Sequence, residues 1–153
     1  NMDAIQLLRN LKTERTPKHF VFYADPPYTG DQYSRYYHIY ETLLGYDYPP
    51  SIGVGRCRPD RFQSPFSMKT KVHKAMQSLI KTAADLKSSL ILSYPANGLL
   101  ADSKKVLVDM MKEHFSKVEI AYEMDYFHSS LGASKGKQKY EVTEMLFLGR
   151  SKC

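Results

Sequence analysis

The tetrapeptide Asp25-Pro26-Pro27-Tyr28 combines residue types that can hold one kind of chemical group. An ionised carboxylate accepts hydrogen bonds and cannot donate them, and proline offers a carbonyl acceptor but no N–H donor. The segment therefore presents acceptors almost exclusively, beside the flat ring of Tyr28. This suits a planar group with an exocyclic NH₂, whose two hydrogens go to the Asp25 carboxylate and the Pro26 carbonyl while its ring stacks on Tyr28. Accepting both hydrogens draws nitrogen electron density out of the ring, towards a geometry that can attack an electrophile.

An apolar run places this tetrapeptide at the end of a strand. Residues 20–24 are continuously apolar and favour β-structure, as in a buried central strand of a parallel sheet, and the two prolines stop the ladder. Ligands of open α/β sheets bind at the carboxyl ends of the strands. We therefore expect a ligand site at Asp25.

The other elements alternate between helix and strand, which predicts an α/β layer fold. The predicted helices span about 3–11, 32–44 and 68–83, with another capped by Asp102 or Ser103, and the further predicted strands are 90–94, 118–122 and 142–148. Loops are expected over 49–65 and 129–139, and the second one makes the last two strands an antiparallel hairpin. We interpret the tyrosine stripe from Tyr33 to Tyr40 mostly as packing on the sheet, with a stacking platform for bases as the alternative.

Composition limits the class of protein. The chain has 153 residues, 42% of them hydrophobic and 25% charged, which is ordinary for one globular domain. No apolar run approaches the ~18 residues that span a bilayer, so no membrane partner is expected. Cys57 and Cys153 suit reduced thiols in a cytoplasmic protein rather than a disulfide framework or a metal site. The net charge of +6 permits a polyanionic partner.

The ordered set of motifs resembles the D12 class of N6-adenine-specific DNA methyltransferases. Asp25-Pro-Pro-Tyr-Thr and the tyrosine-rich segment that follows it are similar to that family's catalytic loop and helix. Segment 90–100 is similar to its next core strand, and segment 128–149 to its closing hairpin. The resemblance covers nearly the whole chain.

The resemblance implies a fold, a reaction and a set of site residues. The fold is part of a Rossmann-like methyltransferase sheet, mostly parallel with an antiparallel strand near the carboxyl terminus. The reaction moves a methyl group from S-adenosylmethionine to N6 of an adenine flipped out of double-stranded DNA. Asp25, Pro26, Pro27 and Tyr28 would form the catalytic motif. Asp25 would also lie near the methionine part of the cofactor, and Asp3 near its adenine.

One element of the family pattern is absent. The Phe-x-Gly-x-Gly cofactor loop is missing, and Gly53-Val54-Gly55 follows Pro-Pro-Ser-Ile rather than a strand. Too few residues precede Phe20 for a βαβ unit of about 30 residues. We therefore expect residues 1–153 to form a single partial catalytic domain, the carboxyl-terminal portion of a larger enzyme without the target-recognition region. We expect this fragment to be inactive alone, and to cover its unpaired edge strand with a second copy of itself.

Two basic clusters are candidate phosphate contacts on DNA. They are Arg56, Arg58 and Arg61 in the first loop, and Lys135, Lys137 and Lys139 in the second. His38 and His128 are interpreted as structural or DNA-facing, because the amine can lose its proton after the transfer without a strong general base.

Two other functions remain open. RNA and protein-glutamine methyltransferases more often have Asn in place of Asp25, which argues against them. A non-catalytic nucleic-acid-binding or interaction module with a methyltransferase-like sheet is the alternative from a different class, and the missing cofactor loop supports it.

Overall fold

The computed structural model describes residues 2–13, 20–129 and 139–151, and the statements below refer to those residues. They contain a four-stranded sheet in the order β1-β2-β4-β3. The strands are β1 (Val21–Ala24), β2 (Ser89–Pro95), β3 (Lys117–Ser129) and β4 (Lys139–Arg150). β1 is parallel to β2, whereas β4 is antiparallel to both β2 and β3. The α/β class and the hairpin are confirmed. Only the β1–β2 pairing is parallel, because β4 inserts between β2 and β3.

Five helices and a short 3₁₀ turn accompany the sheet in the described part of the chain. They are α1 (Ala4–Thr13), α2 (Tyr33–Tyr36), α3 (His38–Gly45), the turn Pro65–Ser67, α4 (Val72–Asp85) and α5 (Ser103–Lys112). The apolar residues of α4 recur at helical spacing and pack on the sheet, where Met76 and Ile80 join Leu92 and Phe147 in the core. Among the described residues, no helix combines the length and the hydropathy that crossing a bilayer requires.

Strand β1 differs from its prediction. It lies at the edge of the sheet with β2 as its neighbour, and Val21 and Tyr23 are 66% and 64% exposed. The prediction of a buried central strand is therefore wrong for the described residues, because they cover only the face that carries Phe22 and Ala24. The predicted unpaired edge is present. That a second copy covers it stays a prediction, which light scattering over a concentration series tests.

The tyrosine-rich segment also differs. The single predicted helix is two, α2 and α3, separated at Tyr37. The helical stretch ends at Tyr46, which adopts the left-handed conformation with φ 47° that glycine more often supplies. Helix α3 contains no buried residue, and the tyrosines from Tyr33 to Tyr40 are all 45% exposed or more, so the prediction that this stripe mostly packs on the sheet is wrong for the described residues. Periodicity identified an apolar face but not what covers it.

Helix α5 starts without the predicted side-chain cap. Asp102 occupies the N-cap position with φ 49° and makes no capping hydrogen bond through its side chain. The hydroxyl of Ser103 donates instead to the carbonyl of Pro95 at 2.9 Å. This contact joins the start of α5 to the end of β2.

Candidate active site

The Asp25–Tyr28 corner begins where β1 ends. Asp25 is exposed, Pro26 is buried, and Pro27 and Tyr28 are half-buried, so the corner is anchored by its first proline and presents its carboxylate to solvent. The Tyr28 ring packs partly against the hydrophobic core. The backbone N–H of Leu99 donates to the Tyr28 carbonyl at 2.9 Å, which fixes the corner against the segment after β2.

A cleft of about 420 Å³ opens in front of this corner, between the start of α1 and the end of β1. Its polar wall includes Asp3 and Asp25, and its apolar wall includes Leu7, Phe22 and Phe62. The two carboxylates predicted at the site therefore line one cleft. Tyr28 lies outside its lining, next to Pro27, which belongs to it.

Asp3 has a structural role that accounts for its position. One carboxylate oxygen of Asp3 accepts a hydrogen bond from the backbone N–H of Gln6 at 3.0 Å, and this contact caps α1. Asp3 is therefore the N-terminal cap of α1. A contact of Asp3 with a cofactor stays a prediction.

The carboxylate of Asp25 is not neutralised by the described part of the protein. None of the ion pairs between described residues includes it. Partial desolvation raises the pKa of Asp25 above its ordinary value of 3.8. Burial first, and then the nearby charge of Asp25, raise the pKa of the Tyr33 phenol. An uncompensated and partly desolvated acceptor of this kind favours a ligand that brings N–H donors.

Residues at the end of β2, and in the turn that follows it, hold the segment that contacts the corner. Tyr94 is fully buried, and its hydroxyl accepts a hydrogen bond from the backbone N–H of Leu100 at 3.2 Å. A Cβ added at Gly98 would lie 2.7 Å from the Tyr94 ring, so this turn requires glycine for its close approach. The next residue, Leu99, donates to Tyr28. No local sequence pattern marks Tyr94 and Gly98 as supports of the site.

A second support comes from the end of the long loop. The backbone N–H of Ser64 donates to the Gln32 side-chain oxygen at 2.7 Å, and the Gln32 amide donates to the Ser64 carbonyl at 3.3 Å. The hydroxyl of Ser34 donates to the Phe62 carbonyl at 2.7 Å. These contacts place Phe62 on the cleft wall. They join residues about 30 positions apart, and no sequence pattern signalled them.

The three arginines predicted to contact DNA differ in the partners of their side chains. Arg58 pairs with Asp47 at 2.6 Å and with Asp60 at 2.8 Å, and these hydrogen bonds raise its pKa. The side chain of Arg61 donates to the carbonyl of Arg58 at 3.1 Å. The Arg56 side chain is exposed and makes no hydrogen bond or ion pair with other described residues, while its backbone N–H donates to the Gly53 carbonyl at 3.1 Å. Arg56 therefore retains the most available charge of the three.

The second basic cluster and one histidine fall largely outside the description. Lys135 and Lys137 lie outside the described residues, and for Lys139 only the backbone in β4 is described. The same holds for His128 in β3. His38 is half-buried and, with Arg56, lines a second cavity of about 450 Å³. The DNA contacts of both basic clusters stay predictions.

Comparison with known proteins identifies the family. The model of the D12 class N6 adenine-specific DNA methyltransferase family matches residues 8–93, which is more than half of the chain. The chain belongs to this family. The resemblance read from the motifs is thus confirmed, and the matched range contains the Asp25–Tyr28 corner and the Arg56–Arg61 segment. Asp3 lies before it and the lysine cluster after it.

Two curated relatives agree with this assignment. The chain is 32% identical to the type II methyltransferase M.FokI of Planomicrobium okeanokoites over 127 residues, which are 82% of this chain and 18% of that protein. It is 38% identical to the modification methylase LlaI of Lactococcus lactis subsp. lactis over 61 residues, 40% of this chain and 10% of that protein. The chain thus spans less than a fifth of either relative. No solved structure matches it.

Proposed function

We propose that the protein transfers a methyl group from S-adenosylmethionine to N6 of adenine in DNA, and that this chain supplies the corner that holds the target amine. The observation that carries the proposal is the exposed carboxylate of Asp25, which has no ion-pair partner among the described residues and opens on a cleft at the end of β1. The family assignment supports adenine as the base.

The corner can activate the amine as a nucleophile and accept the proton that it loses. The Asp25 carboxylate and the Pro26 carbonyl accept the two amine hydrogens, which frees the nitrogen lone pair for attack. The nitrogen becomes cationic as its new bond to carbon forms, and the adjacent carboxylate stabilises this charge. Because Asp25 is exposed, the surplus proton can leave to solvent through it. Tyr28, packed on the core from one side, offers its ring to the base.

The cleft has the chemistry that part of the cofactor requires. Its aromatic and aliphatic walls suit an adenine ring, and the Asp3 and Asp25 carboxylates suit the cationic groups of S-adenosylmethionine. When bound, the cofactor supplies an activated methyl group on a sulfonium, which becomes a neutral thioether. We also propose a Rossmann-like sheet, which the parallel β1–β2 pair and the reversed strand β4 support.

We propose that the chain is a partial catalytic domain and that residues outside it provide the glycine-rich cofactor loop and the target-recognition region. The missing Phe-x-Gly-x-Gly motif and the small share of each relative covered support this. The isolated chain would then be inactive. Because the substrate is DNA, we propose a cytoplasmic location.

The decisive experiment measures N6-methyladenine by mass spectrometry in DNA treated with the longest polypeptide that contains this chain, and with the chain alone. We expect product from the first and none from the second. The competing reading is a non-catalytic nucleic-acid-binding module, favoured by the missing cofactor loop. A calorimetric titration with S-adenosylmethionine separates the two, because a module binds no cofactor in either form.

We propose Arg56 as a phosphate contact, and we predict that Arg56→Ala weakens the salt dependence of DNA binding. Each lost phosphate contact lowers the slope of log K against log salt by about 0.9. The slope is measured by fluorescence anisotropy with duplex DNA at several salt concentrations. Arg9→Ala is the matched control, because Arg9 is exposed on α1. An unchanged slope for Arg56→Ala would remove this residue from the interface.

The remaining basic residues are proposed contacts of different strength. Arg58 is held by Asp47 and Asp60, so its charge is largely compensated within the loop. Arg61, Lys135, Lys137 and Lys139 stay candidates, and the same measurement on their alanine variants tests each one.

A further inference from the structure

Three tyrosines form a continuous exposed surface on α2 and α3. Tyr33, Tyr37 and Tyr40 are 47%, 51% and 62% exposed. The ring centroids of Tyr33 and Tyr37 lie 6.1 Å apart with an interplanar angle of 28°, and those of Tyr37 and Tyr40 lie 6.1 Å apart at 39°. We call these residues the tyrosine track.

The tyrosine track begins at the candidate active site. Helix α2 starts at Tyr33, five residues after Tyr28. The charge of Asp25 acts on the Tyr33 phenol, so this ring lies within electrostatic reach of the carboxylate proposed to hold the target amine. The hydroxyl of Ser34, the neighbour of Tyr33, donates to the carbonyl of Phe62, which lines the cleft, so the track begins beside the cleft wall although its rings do not line the cleft.

The backbone beneath the track is fixed. Ser34 is buried and bonded to Phe62, and Gln32 is bonded to Ser64 in both directions. The rings nearest to Asp25 are thus presented from a supported base, which lowers the entropy cost of ordering them when a ligand binds.

The chemistry of the track indicates its partner. All three side chains are phenols, with a flat apolar ring and a polar tip, which suits a flat partner in a wet and polar interface. A dry protein contact fits better at the second cavity, which the aliphatic side chains of Ile39, Leu43 and Val54 line. Nucleobases stack on aromatic rings without needing a particular sequence.

We propose that Tyr33, Tyr37 and Tyr40 form a stacking surface for the nucleobases next to the flipped adenine. This inference rests on the proposed function for the identity of the partner, DNA, and adds a surface that holds the strand beside the target base. Methylation would then depend on the track through DNA binding rather than through the chemical step.

The test compares Tyr37→Leu with Tyr37→Phe in the chain. The probe is a short fluorescein-labelled single-stranded oligodeoxythymidine, and its affinity is measured by anisotropy. We expect Tyr37→Leu to bind about tenfold more weakly, because a leucine keeps the apolar contact but cannot stack, and Tyr37→Phe to bind within about twofold of wild type. Tyr122→Leu is the matched control, since Tyr122 is 50% exposed on β3, away from α2 and α3.

A second variant and a second signal keep the test decisive. Tyr40→Leu is expected to weaken binding as Tyr37→Leu does, and circular dichroism checks that both variants fold. The chain has 12 tyrosines and no tryptophan, so a partial quenching of tyrosine fluorescence on binding gives a second signal free of tryptophan emission. Equal affinity of Tyr37→Leu and wild type, equal losses in Tyr37→Leu and Tyr37→Phe, or no binding by the wild-type chain would each overturn the proposal.

Failure of this inference differs from failure of the proposed function. If only the track is wrong, the longer polypeptide methylates adenine and Tyr37→Leu leaves its KM for DNA unchanged. If the methyl-transfer function is wrong, the wild type forms no N6-methyladenine, yet the difference between Tyr37→Leu and Tyr37→Phe in oligonucleotide binding persists. If both are right, Tyr37→Leu raises KM for DNA about tenfold and leaves kcat close to that of wild type.

Discussion

Asp25→Ala in the longer polypeptide is expected to lower the rate of methyl transfer about 100- to 1,000-fold, the usual cost of removing one group that stabilises developing charge. The variant loses both the acceptor for an amine hydrogen and the negative charge beside the nitrogen as it becomes cationic. Asp25→Asn should lose less, because its carbonyl oxygen still accepts a hydrogen bond. The rate is measured by mass spectrometry of N6-methyladenine over time.

Asp109→Ala is the matched control, because Asp109 is exposed on α5 and away from the cleft. It should leave the rate unchanged. An Asp25→Ala variant that retains wild-type activity would exclude the Asp25 carboxylate from the reaction, whatever the family assignment.

Removing the Asp25 carboxylate, which should lower activity, should not lower the stability of the fold. Desolvation raises the folded-state pKa of Asp25 above 3.8, so ionisation of this carboxylate costs free energy in the folded state. The cost is absent below the unfolded pKa of 3.8 and fully present above the raised folded value. Asp25→Asn should therefore be at least as stable as wild type near neutral pH, with the difference shrinking in acid. Urea denaturation of both proteins at neutral pH and at acid pH measures this difference in the free energy of unfolding.

Tyr94→Ala is expected to lower the free energy of unfolding by about 3–5 kcal/mol, because it removes a fully buried aromatic ring from the core. Tyr94→Phe keeps the ring and loses only the hydroxyl that accepts from Leu100, which should cost about 1–3 kcal/mol. Urea denaturation of the chain gives both values. Tyr122→Ala, at an exposed position, should stay within about 0.5 kcal/mol of wild type.

The Tyr94 variants also connect stability to the site. Leu99 donates to Tyr28 and its neighbour Leu100 donates to Tyr94, so loosening this turn removes a support of the corner. We expect Tyr94→Phe to reduce methyl transfer while most of the protein remains folded. If Tyr94→Phe matches wild type in both stability and activity, the N–H of Leu100 finds another acceptor and the turn is not a support.

The corner could be predicted because its causes are local. Two prolines after an apolar run must end a strand, and a carboxylate next to them cannot be buried without a partner. The structure places Asp25 accordingly, at the exposed end of β1. The β3–β4 hairpin was predictable for the same reason, since the pattern of alternating residues around a glycine-rich loop is contained in one segment.

The features that sequence reasoning missed depend on distant residues. Gln32 and Ser64 bond across about 30 positions, and β4 lies between β2 and β3 because of packing that no single segment encodes. For the tyrosine-rich helices, by contrast, a packing contact was predicted that the described residues do not make. Their apolar spacing was real, but the described residues provide nothing to cover Tyr37 and Tyr40.

The pairing of Arg58 with Asp47 and Asp60 has a consequence for how the long loop can vary. The ion pair between Arg58 and Asp47 joins the two ends of a segment of about a dozen residues. A change of length at the tip of this segment therefore need not move the residues that line the cleft. An insertion or a grafted epitope at Val54, which is fully exposed between the paired residues Ile52 and Cys57, should therefore be absorbed at the tip. A longer tip should leave the ends of the loop, and the wall that Phe62 contributes, in their places.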